Sequence, residues 1–120
     1  MVFFNSATAS SVVYCGTAQR IQEELRRIRI NHLSILQGVQ VVVHYMPNSL
    51  GVRAFTLTFI GENPMSEEKK KCIRDIVLGD DLKKFFSRTL AERHDWSHFR
   101  TYVSSRENPN NYVWSVERRG

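Results

Sequence analysis

The sequence predicts an α+β domain, a two-layer sandwich in which two main helices cover one face of an antiparallel sheet of four to five strands. Three observations carry that expectation. Residues 39–46 and 52–60 are dense in β-branched and aromatic side chains, and the reversal between them holds Pro47, Asn48, Ser49 and Gly51, which is the composition of a hairpin. Upstream, Ile21, Leu25, Ile28, His32 and Ile35 recur at spacings of three and four, the period of an amphipathic helix. Downstream, Cys72, Ile73, Ile76 and Val77 form a second stripe, which resumes with Leu82, Phe85, Phe86 and Leu90.

Taken in order, residues 1–10 are small and polar apart from Val2, Phe3 and Phe4, and read as a frayed end or a short edge strand. Residues 11–15, Ser-Val-Val-Tyr-Cys, have the composition of a short strand that Gly16 and Thr17 end, with Thr17 as N-cap of the first helix and Gly38 as its stop. After the hairpin, the loop 61–64 leads to Ser66, Glu67 and Glu68, a capping hydroxyl followed by carboxylates that suit a helix N-terminus. Gly79, Asp80 and Asp81 divide the second helical region into two segments, with an aspartate capping the second. Residues 99–104 and 111–117 read as strands around a turn rich in Asn and Pro, and 118–120 as a basic tail.

The resulting order is β-α-β-β-α-β-β. By architectural analogy it is similar to that of ferredoxin-like domains, the RNA-recognition motif family among them. That family's third strand carries aromatics at fixed offsets, whereas here Phe55 and Phe59 share a face with Arg53 and Leu57 and read as core rather than as a stacking platform. The analogy therefore extends to element order and not to membership.

With 120 residues, 42% hydrophobic and 24% charged, residues 1–120 suffice for a single globular domain that buries its own core without disulfides or metals. Cys15 and Cys72 are far apart and outside any Cys-x-x-Cys pattern, which suits a reducing intracellular setting. The first residues lack the basic and apolar regions of a signal peptide, and no apolar run approaches the length of a membrane span. The expected location is the cytoplasm, or the nucleus by diffusion.

No complete catalytic, nucleotide-binding or metal motif is visible, so the expected class is non-enzymatic, with no cofactor. His94 and His98 are four apart, but two imidazoles do not make a metal site. Gly79-Asp80-Asp81 reads as a capping turn, and His44 as a strand histidine. Cys72 follows Lys69, Lys70 and Lys71, a run able to lower a thiol pKa, yet it also opens an apolar stripe and reads as core.

The charge distribution is more informative. Seventeen Lys and Arg against twelve Asp and Glu leave a net charge of +5, an excess that favours polyanionic partners. Glu23 and Arg27 are spaced for an ion pair, whereas Arg26 and Arg29 share another face with Gln22 and are expected to be free for a ligand. Lys70, Lys71 and Arg74 on the second helix, and Lys84 and Arg88 on its continuation, extend the same positive surface. These residues form the expected nucleic-acid interface, with RNA favoured and little sequence preference, because helical cations on phosphates carry no base code. The alternative is a homodimer or adaptor contact through the second face of the sheet, with Val42, His44, Met46, Ala54 and Thr58 as the interface.

Overall fold

The computed structural model describes residues 6–45, 54–89, 95–101 and 108–119. In chain order they form α1 (Ser6–Ile30), α2 (Leu33–Leu36), β1 (Gln40–Tyr45), β2 (Ala54–Ile60), α3 (Glu67–Val77), α4 (Asp80–Thr89), β3 (Asp95–Thr101) and β4 (Asn111–Arg119). The strands join into an antiparallel sheet ordered β1-β2-β4-β3.

Period-two alternation sorts the sheet into two faces. The register aligns Val41 with Phe59 and Tyr112, Val43 with Leu57 and Trp114, and Tyr45 with Phe55 and Val116. These rows carry the apolar face. Against them pack Ile21, Leu25 and Ile28 of α1, Leu36 of α2, Ile73, Ile76 and Val77 of α3, and Leu82 of α4, in one buried cluster. The helices named here thus contribute to a common core on one side of the sheet, and the result is a small α+β domain. Gln40, Val42, His44, Thr56, Thr58, Ile60, Val113 and Ser115 alternate with the core residues and so lie on the other face.

Three local expectations are overturned. Residues 11–15 are not a strand: α1 runs unbroken from Ser6 through Gly16 and Thr17 to Ile30, so no strand precedes it among the described residues. The expected β-α-β-β-α-β-β order, and with it the ferredoxin-like arrangement, is therefore not the order observed, and 6–10 are helical rather than frayed. Five residues of strand composition have no periodicity long enough to distinguish strand from helix, and tertiary context decides. β3 begins at Asp95, four residues before the expected 99. Arg118 and Arg119 belong to β4, with Arg119 paired to Asp95, so they are strand and not a tail.

Other elements end for reasons the residues supply. Helix α1 closes in tight turns in which Asn31 and His32 donate to the carbonyls of Ile28 and Arg29. Gly38 then takes φ +79°, a left-handed conformation that favours glycine, while a Cβ there would meet only the movable end of the exposed Glu62 side chain, 3.2 Å from its Cδ. Ser66 caps α3 by accepting from the Lys69 N–H at 3.2 Å. Leu78 and Gly79 separate α3 from α4. A Cβ on Gly79 would lie 2.9 Å from the Asp75 carbonyl oxygen, too close for any other residue without movement. The loop before α3 is tied to the turn before β4, since Gly61 and Met65 donate to the carbonyls of Asn110 and Pro109.

Candidate nucleic-acid interface

The first helix places its cations on three different sides. Ile21, Leu25 and Ile28 are buried, and Arg20, Arg26 and Arg27 project from the exposed side of the same turns. Arg27 hydrogen-bonds Glu24, its Nε lying 3.1 Å from the carboxylate. That hydrogen bond, then the charge of Glu24, raises the Arg27 pKa, and Asp81 adds to the effect. The partner is thus Glu24, one helical turn back, rather than the expected Glu23. Arg29 turns inward instead: it is half-buried, and its guanidinium Nη1 donates to the carbonyl oxygen of Val39. The expectation that Arg29 stands free for a ligand does not hold, because the backbone just before β1 occupies it. Arg26 remains exposed and forms no ion pair among the described residues.

On α3 the cations divide in the same way. Lys70 is drawn toward the sheet, with Nζ 5.9 Å from the centroid of Tyr112 and 3.6 Å from Glu67. Lys71 and Arg74 lie on the solvent side and are exposed. Lys84 is exposed on α4. Arg88 falls in the last turn of α4, and its side chain lies outside the described part of the chain. Of the expected set, Arg26, Lys71, Arg74 and Lys84 therefore face solvent without an ion pair among the described residues, joined by Arg20, which the sequence does not single out for the site. Arg20 precedes the core position Ile21 directly, a spacing that marks it as outward-facing once the stripe is known.

Acidic residues gather beside these cations at the α3–α4 junction. A cleft of about 270 Å³ opens where the end of α1 meets the α3–α4 junction, with Ile28 and Ile76 among its lining residues and His32, Asp75, Asp80 and Asp81 around them. None of the five exposed basic positions named above lines it.

Cys72 carries a free, half-buried thiol. Burial, followed by the charges of Asp75 and Glu68, pushes its pKa up, so the neighbouring lysines do not activate it. Among the described residues no group of His, Cys, Asp and Glu is arranged to hold a metal ion; His94 lies outside those residues. No helix among them is long and apolar enough to cross a membrane.

The residues expected at a sheet interface are not equivalent. Val42 and Thr58 are register partners and half-exposed, and His44 is exposed. Ala54 is only 2% exposed and offers no surface, and Met46 lies outside the described residues. On the same face Ser115 and Glu117 are 0% and 8% exposed, so the end of the face near Ala54 is covered. The accessible part is the opposite end, where Val42, Thr58, Ile60 and Val113 are half-exposed.

Compared with known proteins, the chain matches no family model, no curated protein and no solved structure.

Proposed function

We propose that this chain is a non-enzymatic binding module that engages the phosphate backbone of nucleic acid, RNA in the first place, through the outer surface of its helices. The observation that carries this reading is that Arg20, Arg26, Lys71, Arg74 and Lys84 are exposed and form no ion pair among the described residues, while Glu24 and Glu67 on the same helices are engaged by Arg27 and Lys70. Cations left unpaired on a surface are the groups that release counterions from a phosphate backbone. They lie on helices that share one core, so a single backbone can pass over more than one of them. The contacts are to phosphate, which makes binding tolerant of sequence. Filter binding of duplex RNA, single-stranded RNA and DNA, each titrated with salt, tests the reading. Steep salt dependence with similar affinities across sequences supports it, and no binding at micromolar protein in low salt rejects it.

A second reading, a contact between copies through the far face of the sheet, is favoured by the half-exposed Val42, Thr58, Ile60 and Val113. β-branched side chains on a pleated surface pack well against a second sheet. Light scattering at tens of micromolar decides it, since a monomer at that concentration excludes the contact.

A further inference from the structure

Among the described residues β1 is the outermost strand of the sheet on its side, so one row of its backbone groups has no strand there to pair with. Two side chains of α1 reach that row. The Val43 N–H donates to Gln22 Oε1 at 2.9 Å, and the carbonyl of Val39, the residue that leads directly into β1, accepts from Arg29 Nη1. In an antiparallel strand the outward groups belong to alternate residues. Val39 and Val43 obey the same parity, which turns the N–H and C=O of Val41 outward as well.

The spacing on the two elements agrees. Gln22 and Arg29 are two helical turns apart, a rise of ~10.5 Å, and the four residues from Val39 to Val43 span ~13 Å of strand, close enough for two flexible side chains to bridge. Helix and strand run in opposite senses here, Gln22 meeting Val43 and Arg29 meeting Val39.

From this geometry we infer that Gln22 and Arg29 stand in for a missing strand and close the outer edge of β1 against pairing with β1 of a second copy. The residues of β1 are Gln-Val-Val-Val-His-Tyr. The strand itself has none of the usual defences of an edge: no lysine, no proline and no formal charge at neutral pH, and its composition is that of a segment that stacks readily with its own kind. The second copy is the occupant the strand fits. Two identical edges related by a two-fold axis pair antiparallel, each outward group meeting the counterpart it needs, and uncharged strands do not repel one another as the basic helices of two copies do.

The test uses the whole chain with Gln22→Met and Arg29→Met, singly and together. Amide hydrogen exchange at Val43 and sedimentation velocity over a concentration series are the readouts. Gln22→Met is expected to speed exchange at Val43 by about fivefold or more, the worth of one hydrogen bond. The double variant is expected to form dimers and larger species as concentration rises, with the Val41 and Val43 amides protected in the associated form. Gln22→Glu and Arg29→Lys keep an acceptor and a donor and should sediment as the wild type does. A folded double variant that sediments like the wild type overturns the inference. So does a Gln22→Met variant whose Val43 amide exchanges at the wild-type rate, and that single change decides the matter if the double variant fails to fold.

Discussion

Charge reversal at Lys71 and Arg74 separates the cations that face solvent from those the fold consumes. If four of the exposed positions Arg20, Arg26, Lys71, Arg74 and Lys84 neutralise phosphates on a duplex, log K against log salt should have a slope near −3.6, and raising salt from 50 to 200 mM should weaken binding about 150-fold. Lys71→Glu with Arg74→Glu removes two contacts, so the slope should flatten to about −1.8 and the same salt step should cost only about 12-fold. Arg29→Met is the comparison. Its guanidinium is held by the Val39 carbonyl, so the slope should stay as in the wild type, while urea unfolding should show a loss of about 1.5–3 kcal/mol for a hydrogen bond to a charged group. Fluorescence anisotropy with a labelled duplex at several salt concentrations measures the slopes. A wild-type slope shallower than −1, or an Arg29→Met effect on the slope equal to that of the Lys71 and Arg74 pair, would refute the reasoning.

The two faces of the sheet make a second pair of variants. Phe55 is fully buried, its ring tilted against that of Tyr45 with centroids 5.4 Å apart, so Phe55→Ala should cost about 3–5 kcal/mol in urea unfolding, whereas Val42→Glu, half-exposed on the far face, should leave the fold nearly as stable. Removing the cap with Ser66→Ala should cost about 0.5–2 kcal/mol, read from the same unfolding curves, because the Lys69 N–H loses its acceptor. The raised thiol pKa of Cys72 predicts slower alkylation by iodoacetamide at pH 8 in the folded chain than in urea. Its sign also sets a pH dependence. The folded state favours the protonated thiol, so that contribution to stability is complete below the unfolded pKa and is lost as pH rises through the folded one.

The hairpin, the amphipathic part of α1 and the helices on either side of Gly79 were legible because each rests on local periodicity or punctuation. Val41, Val43, Phe55, Leu57 and Phe59 all face the core, as period-two alternation requires. Residues 11–15 were misread because their valines and tyrosine suit a strand, and the extension of α1 through them has no local signature. The functional residues failed differently. Exposure of Arg26, Lys71, Arg74 and Lys84 follows from helical phase. The inward turn of Arg29 does not, since it depends on which strand lies at the edge of the sheet and on how α1 crosses it. The same holds for Lys70 over Tyr112, residues 42 positions apart in the chain, and for Gln22, whose role exists only once Val43 is an edge residue.

The position of β4 has a consequence for how the protein is made. The strand from Asn111 to Arg119 lies between β2 and β3, although both precede it in the chain. A nascent chain that has exposed everything up to Thr101 holds a β1–β2 hairpin with one open side, and β3 has no neighbour to pair with. Helices can dock on the apolar face of that hairpin, but Tyr112, Trp114 and Val116, which complete the face, are still in the ribosome. Folding should therefore wait until β4 has emerged: nascent chains arrested before residue 111 leaves the exit tunnel should be digested readily by protease, and those arrested after Arg119 has cleared it should resist. Insertion of a central strand through contacts distant in sequence is also intrinsically slow, which makes the interval before β4 is seated the time when chaperones have most to do.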